Sequence, residues 1–227
     1  MDPIRACVFD AYGTLLDVNT AVMKHAHDIG GCAEELSSLW RQRQLEYSWT
    51  RTLMGRYADF WQLTTEALDF ALESFGLLER TDLKNRLLDA YHELSAYPDA
   101  VGTLGALKAA GFTTAILSNG NNEMLRGALR AGNLTEALDQ CISVDEIKIY
   151  KPDPRVYQFA CDRLDVRPSE VCFVSSNAWD IGGAGAFGFN TVRINRINKP
   201  QEYSFAPQRH QLSSLSELPQ LLLRLTQ

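Results

Sequence analysis

The chain has 227 residues, 45% of them hydrophobic and 22% charged, so it can bury a sizeable core as one larger domain or as a domain with a smaller insert. With 22 basic against 28 acidic residues, its formal net charge of -6 argues against a nucleic-acid partner and against binding at an anionic membrane. No apolar run approaches the ~18 residues of a membrane span, and the opening residues lack a signal-peptide pattern, which predicts a cytoplasmic location.

The five cysteines also predict a reducing environment. Cys7, Cys32, Cys141, Cys161 and Cys172 are odd in number, lack C-x-x-C spacing and lie mostly in apolar segments. This pattern favours reduced, buried thiols over disulfides or a zinc site.

The first predicted elements are a short strand and a long helical region. Ile4 to Phe9 is an apolar run of the kind that forms a buried strand. From Val18 to about Leu94 the pattern changes to helical periodicity rich in aromatic residues. We interpret this region as a compact helical insert.

After Tyr97 the chain alternates between helix and strand. The predicted elements are helix Ala100 to Ala110, strand Thr113 to Leu117, helix Met124 to Ala131, strand Cys141 to Val144, helix Pro154 to Leu164, strand Val171 to Ser175, helix Gly182 to Phe187 and strand Thr191 to Ile194. Repeated units of this kind predict an α/β fold with a parallel sheet covered by helices on both faces.

This reading divides the chain into a core and an inserted cap. The α/β core comprises residues 1–16 and 96–227, and the helical cap comprises residues 17–95. An insert that directly follows the first strand lies over the strand ends and can act as a lid.

Four polar clusters fall where ligands bind in open α/β sheets. They are Asp10-Ala11-Tyr12-Gly13-Thr14, Ser118-Asn119-Gly120, Lys151-Pro152 and the segment from Ser175 to Asp180. Each alone has a plain structural explanation, namely a turn, a helix-entry turn, a solvated lysine and a helix N-cap. Together, in this order along one sheet, they indicate a functional site.

These clusters resemble the four motifs of the haloacid dehalogenase superfamily. Within it, Tyr12 in the first motif and Ser175-Ser176-Asn177-x-Trp179-Asp180 in the fourth resemble the L-2-haloacid dehalogenases. The likeness spans nearly the whole chain because the helical insert stands where that family carries its cap. It implies a Rossmann-like parallel-sheet core with an inserted helical cap.

The departures from the phosphatase branch matter chemically. There, a second aspartate protonates the leaving group and a Gly-Asp pair helps to hold magnesium, whereas here Tyr12 and Ser175-Ser176 stand in those places. Halide leaves without a proton, so displacement at carbon needs only a positioned carboxylate and nearby cations. No metal or other cofactor is expected.

The resemblance implies a role for each matching position. The resulting reaction attacks C2 of a short L-2-haloalkanoic acid with inversion and gives a D-2-hydroxy acid and halide through an ester on Asp10. The implied catalytic residues are Asp10, Thr14, Lys151, Ser175, Asn177 and Asp180. The implied substrate-binding residues are Tyr12, Arg41, Leu45, Phe60, Ser118, Asn119, Tyr157 and Trp179.

Several alternatives stay open at this stage. The enzymatic rival is a phosphatase or phosphonate hydrolase of the same superfamily, and the other is a binding or scaffold protein on the same fold. Arg41 could be an ordinary surface arginine, and Leu45 and Phe60 could belong to the core. The resemblance also implies a homodimer, for which the segment Trp40 to Tyr57 could supply a face.

Overall fold

In the part of the chain that the structure describes, six parallel strands form one central sheet in the order β3-β2-β1-β4-β5-β6. The computed structural model describes residues 3–205 and 210–225. The strands are β1 (Ala6–Phe9), β2 (Thr113–Ser118), β3 (Gln140–Ser143), β4 (Val171–Ser175), β5 (Asn190–Ile194) and β6 (His210–Leu212). The predicted α/β fold with a parallel sheet is therefore confirmed.

The register of the sheet brings the polar clusters together. Phe9 pairs with Ile116 on one side and with Val174 on the other. Asp10 follows Phe9, and Ser118 and Ser175 close their own strands. All three therefore reach the carboxyl edge of the sheet at neighbouring positions, as expected for parallel strands.

In the described residues, six α-helices lie between β1 and β2, the first five of them in the predicted insert, and four more follow β2. Their bounds are α1 (Thr20–Met23), α2 (Ala26–Ile29), α3 (Ala33–Met54), α4 (Phe60–Ser74), α5 (Thr81–His92), α6 (Ala100–Ala109), α7 (Asn122–Ala131), α8 (Pro154–Leu164), α9 (Ala178–Phe187) and α10 (Leu218–Leu225). Within the described ranges, no helix is long and apolar enough to cross a membrane.

Local signals explain how the long helices of the insert are bounded. Helix α3 ends at Gly55, whose φ of 62° is the left-handed conformation that glycine adopts without strain. Helix α4 begins after Asp59, whose carboxylate accepts hydrogen bonds from the backbone N–H groups of Trp61 at 2.8 Å and Gln62 at 3.1 Å. The two helices pack against each other above the sheet edge.

The chain passes between the core and the insert at two adjacent points. Leu16 forms an antiparallel bridge with Ala96, and the backbone N–H of Asp17 donates to the carbonyl of Ser95 at 2.9 Å. The division into a core of residues 1–16 and 96–227 and a cap of residues 17–95 remains our proposal. The pairing of the two crossing segments supports it.

Some predicted details differ from the structure. Helix α9 begins at Ala178 rather than at Gly182, and β3 begins one residue earlier than predicted. No element is predicted after Ile194, where β6 and α10 lie. All five cysteines are free, but Cys141 is exposed, so the expectation that the thiols are buried is wrong for that residue.

Candidate active site

Asp10 is a buried carboxylate with a different environment at each oxygen. Thr14 Oγ1 donates to its Oδ2 at 3.0 Å, Asn177 Nδ2 donates to the same atom at 2.7 Å, and Ser175 Oγ lies 3.4 Å away. Oδ1 instead accepts a hydrogen bond from Lys151 Nζ at 2.9 Å. The side chain is therefore fixed in one orientation, with most of its neutral donors gathered on Oδ2.

Lys151 is a buried cation between two carboxylates. Its Nζ lies 2.9 Å from Asp10 Oδ1 and 2.6 Å from Asp180 Oδ2, and its side chain is fully buried. Burial alone lowers the pKa of this ammonium, but the two carboxylates outweigh it and raise the pKa above the ordinary lysine value. The explanation of Lys151 as a solvated surface charge is therefore wrong.

Asp180 lies on the first turn of α9 and is completely buried. Tyr157 donates its hydroxyl to Asp180 Oδ1 at 2.8 Å, while Oδ2 faces Lys151. Burial raises the pKa of Asp180 to about 6, against the opposing pull of Lys151. The side chain does not cap the helix, because Asn177 occupies the N-cap position.

Glycine at position 183 leaves room for this arrangement. A Cβ atom there would lie 2.5 Å from the Tyr157 hydroxyl oxygen and 2.6 Å from Pro152 Cβ. Any larger residue would displace the tyrosine that holds Asp180 and the proline that follows Lys151.

A small cavity lies between Asp10 and the cap. The volume open to the centre of a water-sized sphere is about 10 Å³, which is room for about one water molecule. It is lined by Asp10, Tyr12, Arg41, Leu45, Phe60, Ser118, Asn119 and Trp179.

Two residues that line this cavity have hydrogen-bond donors without partners. Asn119 Nδ2 and Trp179 Nε1 are buried and have no hydrogen-bond partner among the described residues. Asn119 Oδ1 is already used, since it accepts from the backbone N–H of Lys151 at 3.0 Å. Buried donors left unpaired are costly, and their presence on two residues that line one cavity indicates a site for an anion.

The cap contributes the cavity's own cation. Arg41 on α3 donates from Nη1 to Gln44 Oε1 at 2.7 Å and from Nη2 to the carbonyl of Tyr12 at 3.2 Å. The second bond joins cap to core directly at the site. Arg41 is therefore not an ordinary surface arginine.

The residues around Asp10 do not fit a divalent cation. Lys151 Nζ bridges the two carboxylates, and Tyr12 and Ser176 stand where the phosphatase motifs have acidic residues. In the described part of the chain, no group of three or more His, Cys, Asp or Glu side chains is placed to hold a metal. We therefore derive no step through a metal ion.

The structure brings together nearly all of the predicted site residues. Seven of the eight predicted substrate-binding residues line the cavity with Asp10, including Leu45 and Phe60, which had rested on the resemblance alone. Tyr157 is the exception, because its hydroxyl bonds Asp180 and it does not line the cavity. These contacts point to support of Asp180 and not to contact with substrate.

Two neighbours of the cavity escaped the sequence analysis. Tyr91 stacks on Tyr12 with ring centroids 5.7 Å apart, and Gln44 contacts Arg41. The available signal was the position of Gln44 three residues after Arg41, on the same helical line as Trp40. A polar side chain next to large aromatic residues on one helix face must find hydrogen-bond partners if that face is buried.

Comparison with known proteins agrees with this geometry. Residues 4–188 match the family described as haloacid dehalogenase-like hydrolase, and the chain belongs to that family. It is 69% identical over 222 residues to (S)-2-haloacid dehalogenase 4A of Burkholderia cepacia, covering 98% of this chain and 96% of that protein. The resemblance drawn from the four motifs is therefore confirmed.

Solved structures give the same result. A crystal structure of a dehalogenase superposes with a TM-score of 0.96 at 69% identity, covering 97% of this chain and 98% of that one. The L-2-haloacid dehalogenase from Xanthobacter autotrophicus with chloropropionic acid covalently bound has a TM-score of 0.89 at 39% identity, covering 97% of this chain and 98% of that one.

Proposed function

We propose that the chain displaces halide from short L-2-haloalkanoic acids through an ester on Asp10, with inversion at C2. It is an (S)-2-haloacid dehalogenase, a hydrolase acting on carbon–halide bonds, and its products are D-2-hydroxy acids and halide. The observation that carries the proposal is a buried Asp10, held by Lys151, at the wall of a cavity with unpaired donors and a cationic arginine.

The unequal environments of the two Asp10 oxygens favour Oδ1 as the attacking atom. Oδ2 is engaged by Thr14 and Asn177, with Ser175 nearby, while Oδ1 accepts a hydrogen bond from Lys151. In the first step Oδ1 forms a bond to C2, the carbon–halogen bond breaks, and halide leaves with the bonding electrons. Lys151 offsets the repulsion between the carboxylate and an anionic substrate.

The cavity residues divide between the two anionic ends of the substrate. Arg41, Asn119 and Trp179 form a cradle for the departing halide. Ser118 serves the substrate carboxylate, because its Oγ accepts from the backbone N–H of Gly120 at 3.1 Å and its own proton is left to donate. The apolar walls are Tyr12, Leu45, Phe60 and Trp179.

Because the closed cavity holds about one water, contacts between cap and core must loosen to admit a haloacid.

The second step hydrolyses the ester at the Asp10 carbonyl. Negative charge then develops on Oδ2, where Thr14, Asn177 and Ser175 already supply donors in place. Asp180 takes a proton from the attacking water, and the resulting hydroxide adds to the Asp10 carbonyl carbon. The bond between that carbon and Oδ1 then breaks, and the departing oxygen takes the proton back from Asp180 and leaves as the alcohol of the product. The second hydrogen of the water, now on the restored Asp10 carboxyl, dissociates to solvent. Each turnover releases one proton and one halide. The covalently bound chloropropionic acid of the Xanthobacter enzyme supports an ester route.

The rival phosphatase or phosphonate hydrolase is not favoured. Tyr12 replaces the proton donor that an alkoxide leaving group needs, and burial raises its pKa well above the ordinary tyrosine value. The close relatives are haloacid dehalogenases. The idea of a scaffold without activity predicts decay of the site, yet the nucleophile, the lysine and the second aspartate are all in contact.

A single turnover in oxygen-18 water tests the covalent route. With enzyme in excess over L-2-chloropropionate, we expect the first lactate to be unlabelled and the heavy oxygen to appear in the peptide that contains Asp10. Mass spectrometry of both species measures this. Label in the first lactate would show direct attack by water on carbon. As a companion, Asp10→Ala should abolish halide release while the circular dichroism of the folded protein is retained.

The raised pKa of Asp180 predicts an acidic limb in the pH profile. Water activation needs the ionised carboxylate, so turnover should fall as the pH drops below about 6. Toward alkaline pH, Lys151 keeps its proton, because its pKa is raised above 10.5.

The same pKa predicts that protein stability and turnover change with pH in opposite directions. Because the folded pKa of Asp180 lies above its ordinary 3.8, this group favours the folded state at acidic pH, and that contribution is lost as the pH rises through about 6. Turnover and circular dichroism recorded over the same pH series measure both effects. Turnover that is independent of pH around 6 would contradict the role of Asp180.

We further propose a homodimer and a cytoplasmic location. In the segment Trp40 to Tyr57, Trp40 is buried, but Leu53 and Met54 at the end of α3 are strongly exposed and provide apolar surface for a partner copy. The unpaired state of all five cysteines supports a reducing compartment. The small-molecule partners are the haloacid and the halide, with no nucleic acid and no membrane.

A further inference from the structure

Gln44 is a buried polar side chain at the meeting point of three cap helices. It is 1% exposed, and its amide contacts Thr64 Oγ1 on α4 at 2.6 Å and the Tyr91 hydroxyl on α5 at 3.0 Å. Its Oε1 also accepts from Arg41 Nη1 at 2.7 Å, on the same helix. The amide is fully engaged, and one of its bonds holds a residue of the active site.

Both acceptors that hold Arg41 are neutral. One is the Gln44 amide oxygen and the other is the backbone carbonyl of Tyr12. In residues 3–205 and 210–225, no carboxylate forms an ion pair with Arg41. The guanidinium is thus held by two hydrogen bonds, and neither acceptor carries a negative charge that would neutralise it.

The neighbouring arginines of the same helix are held differently. Arg43 pairs with the carboxylate of Glu46 at 2.6 Å, and Arg51 pairs with Glu66 at 2.9 Å. The spacing from Arg43 to Glu46 equals that from Arg41 to Gln44, three residues in each case. A carboxylate three residues after an arginine can therefore reach that arginine on this helix. The amide at position 44 differs in being uncharged and in donating from Nε2 to Thr64 Oγ1 at 2.6 Å.

The charge around the cavity shows why a neutral acceptor matters. Asp10 and Asp180 with Lys151 leave one net negative charge when both carboxylates are ionised, and Arg41 cancels it. A carboxylate at position 44 would restore that negative charge before the anionic substrate arrives. In a site shielded from water, such a change acts strongly on a departing anion.

We infer that Gln44 is a positioning residue that anchors Arg41 through a neutral acceptor and thereby keeps the full guanidinium charge available to the leaving halide. The inference rests on the function proposed above. It deepens that function by assigning leaving-group stabilisation to the Arg41–Gln44 pair. Chloride is a poorer leaving group than bromide, so its departure depends more on this stabilisation.

The test is the near-isosteric variant Gln44→Glu with two leaving groups. Halide release is measured in single turnovers, with enzyme in excess, from L-2-chloropropionate and from L-2-bromopropionate. We expect the chloride reaction to slow by about 10²–10³-fold, the range for losing one preorganised electrostatic contact. The bromide reaction should slow less, so the ratio of bromide to chloride rates should rise by up to about tenfold. The inhibition constant of added bromide should rise as well.

The control is Gln62→Glu, which makes the same chemical change on the exposed face of α4. It should leave both rates and their ratio close to wild type. A general loss of folding in Gln44→Glu would lower the fraction of active enzyme and slow both reactions equally. Equal slowing in protein that unfolds like wild type, or no slowing, would overturn the inference.

Two further results separate the possible failures. If Gln44→Glu does not fold, Gln44→Met removes the acceptor without adding charge, and an unchanged bromide inhibition constant in that variant would overturn the inference. If wild-type protein releases no halide from either acid, the proposed function itself is wrong. Wild-type release with an unchanged ratio in Gln44→Glu refutes only the role of Gln44.

Discussion

Replacing Lys151 by methionine is expected to abolish measurable dehalogenation and to destabilise the protein by about 3–5 kcal/mol near neutral pH. The lysine is fully buried and is the cation between Asp10 and Asp180, at 2.9 and 2.6 Å. Methionine nearly preserves its volume but leaves two buried carboxylates facing each other. Chemical denaturation and halide release measure the two effects.

The destabilisation should depend on pH in a defined direction. Without the ammonium, Asp180 gains most by binding a proton, since burial and the charge of Asp10 both raise its pKa. The loss of unfolding free energy should therefore shrink as the pH is lowered toward 5. A destabilisation that is constant with pH would contradict the placement of Lys151 between two charges.

Lys148→Met is the matched control for this variant. Lys148 is three residues earlier and pairs with Asp145 at 2.8 Å, but its side chain is 57% exposed. Exposed ion pairs contribute about 0–1 kcal/mol. We expect nearly unchanged stability and activity, so the contrast reports burial and not the loss of a lysine as such.

Asp180→Asn is expected to stop the reaction after one chemical step. The variant keeps the shape of the side chain but removes the group that accepts a proton from water, a contribution of about 10²–10⁴-fold. Because Asp10 retains Lys151 and its other partners, displacement should still proceed. Rapid mixing should therefore show a burst of halide close to one equivalent per site, followed by slow turnover.

Mass spectrometry of the intact protein and of its proteolytic peptides provides the second readout for this variant. The Asp180→Asn protein should carry one added propionate unit on the peptide containing Asp10, and wild type should not accumulate it. Asp153→Asn is a suitable control, because Asp153 caps helix α8 and asparagine caps helices equally well. A variant that gives neither burst nor adduct would place Asp180 in the first step instead.

The placement of the polar clusters at one edge of the sheet was predictable from sequence because it depends on rules of sheet topology. Parallel strands bring their carboxyl ends to one edge, so Asp10, Ser118 and Ser175 were expected at that edge once their strands were recognised, and the strand order then makes them neighbours. Lys151 and Asp180 follow the same logic, since each lies close to that edge. The chemistry could then be read from residue types, with Tyr12 in place of an acid.

The ends of the elements were less predictable. The glycine-rich stretch around Gly182 and Gly183 has weak helix propensity, yet α9 begins at Ala178 and packs against β4 and β5. Strand β6 has only three residues and pairs on one side with β5. Such elements are stabilised by neighbours distant in the sequence, which no local pattern reports.

The sequence by itself determined the alternation of strands and helices from Ala100 to Ile194, the place of Asp10 at the end of the first strand, and Tyr12 in place of an acid two residues later, because these follow from local apolar patterns and residue identity. Tertiary structure alone decided how the cap meets the core: that Arg41 reaches the cavity, that Gln44 holds it with a neutral oxygen, and that Tyr157 supports Asp180. The physical reason is that these contacts depend on the angles at which helices pack over the sheet, and those angles arise from the combined burial of many side chains.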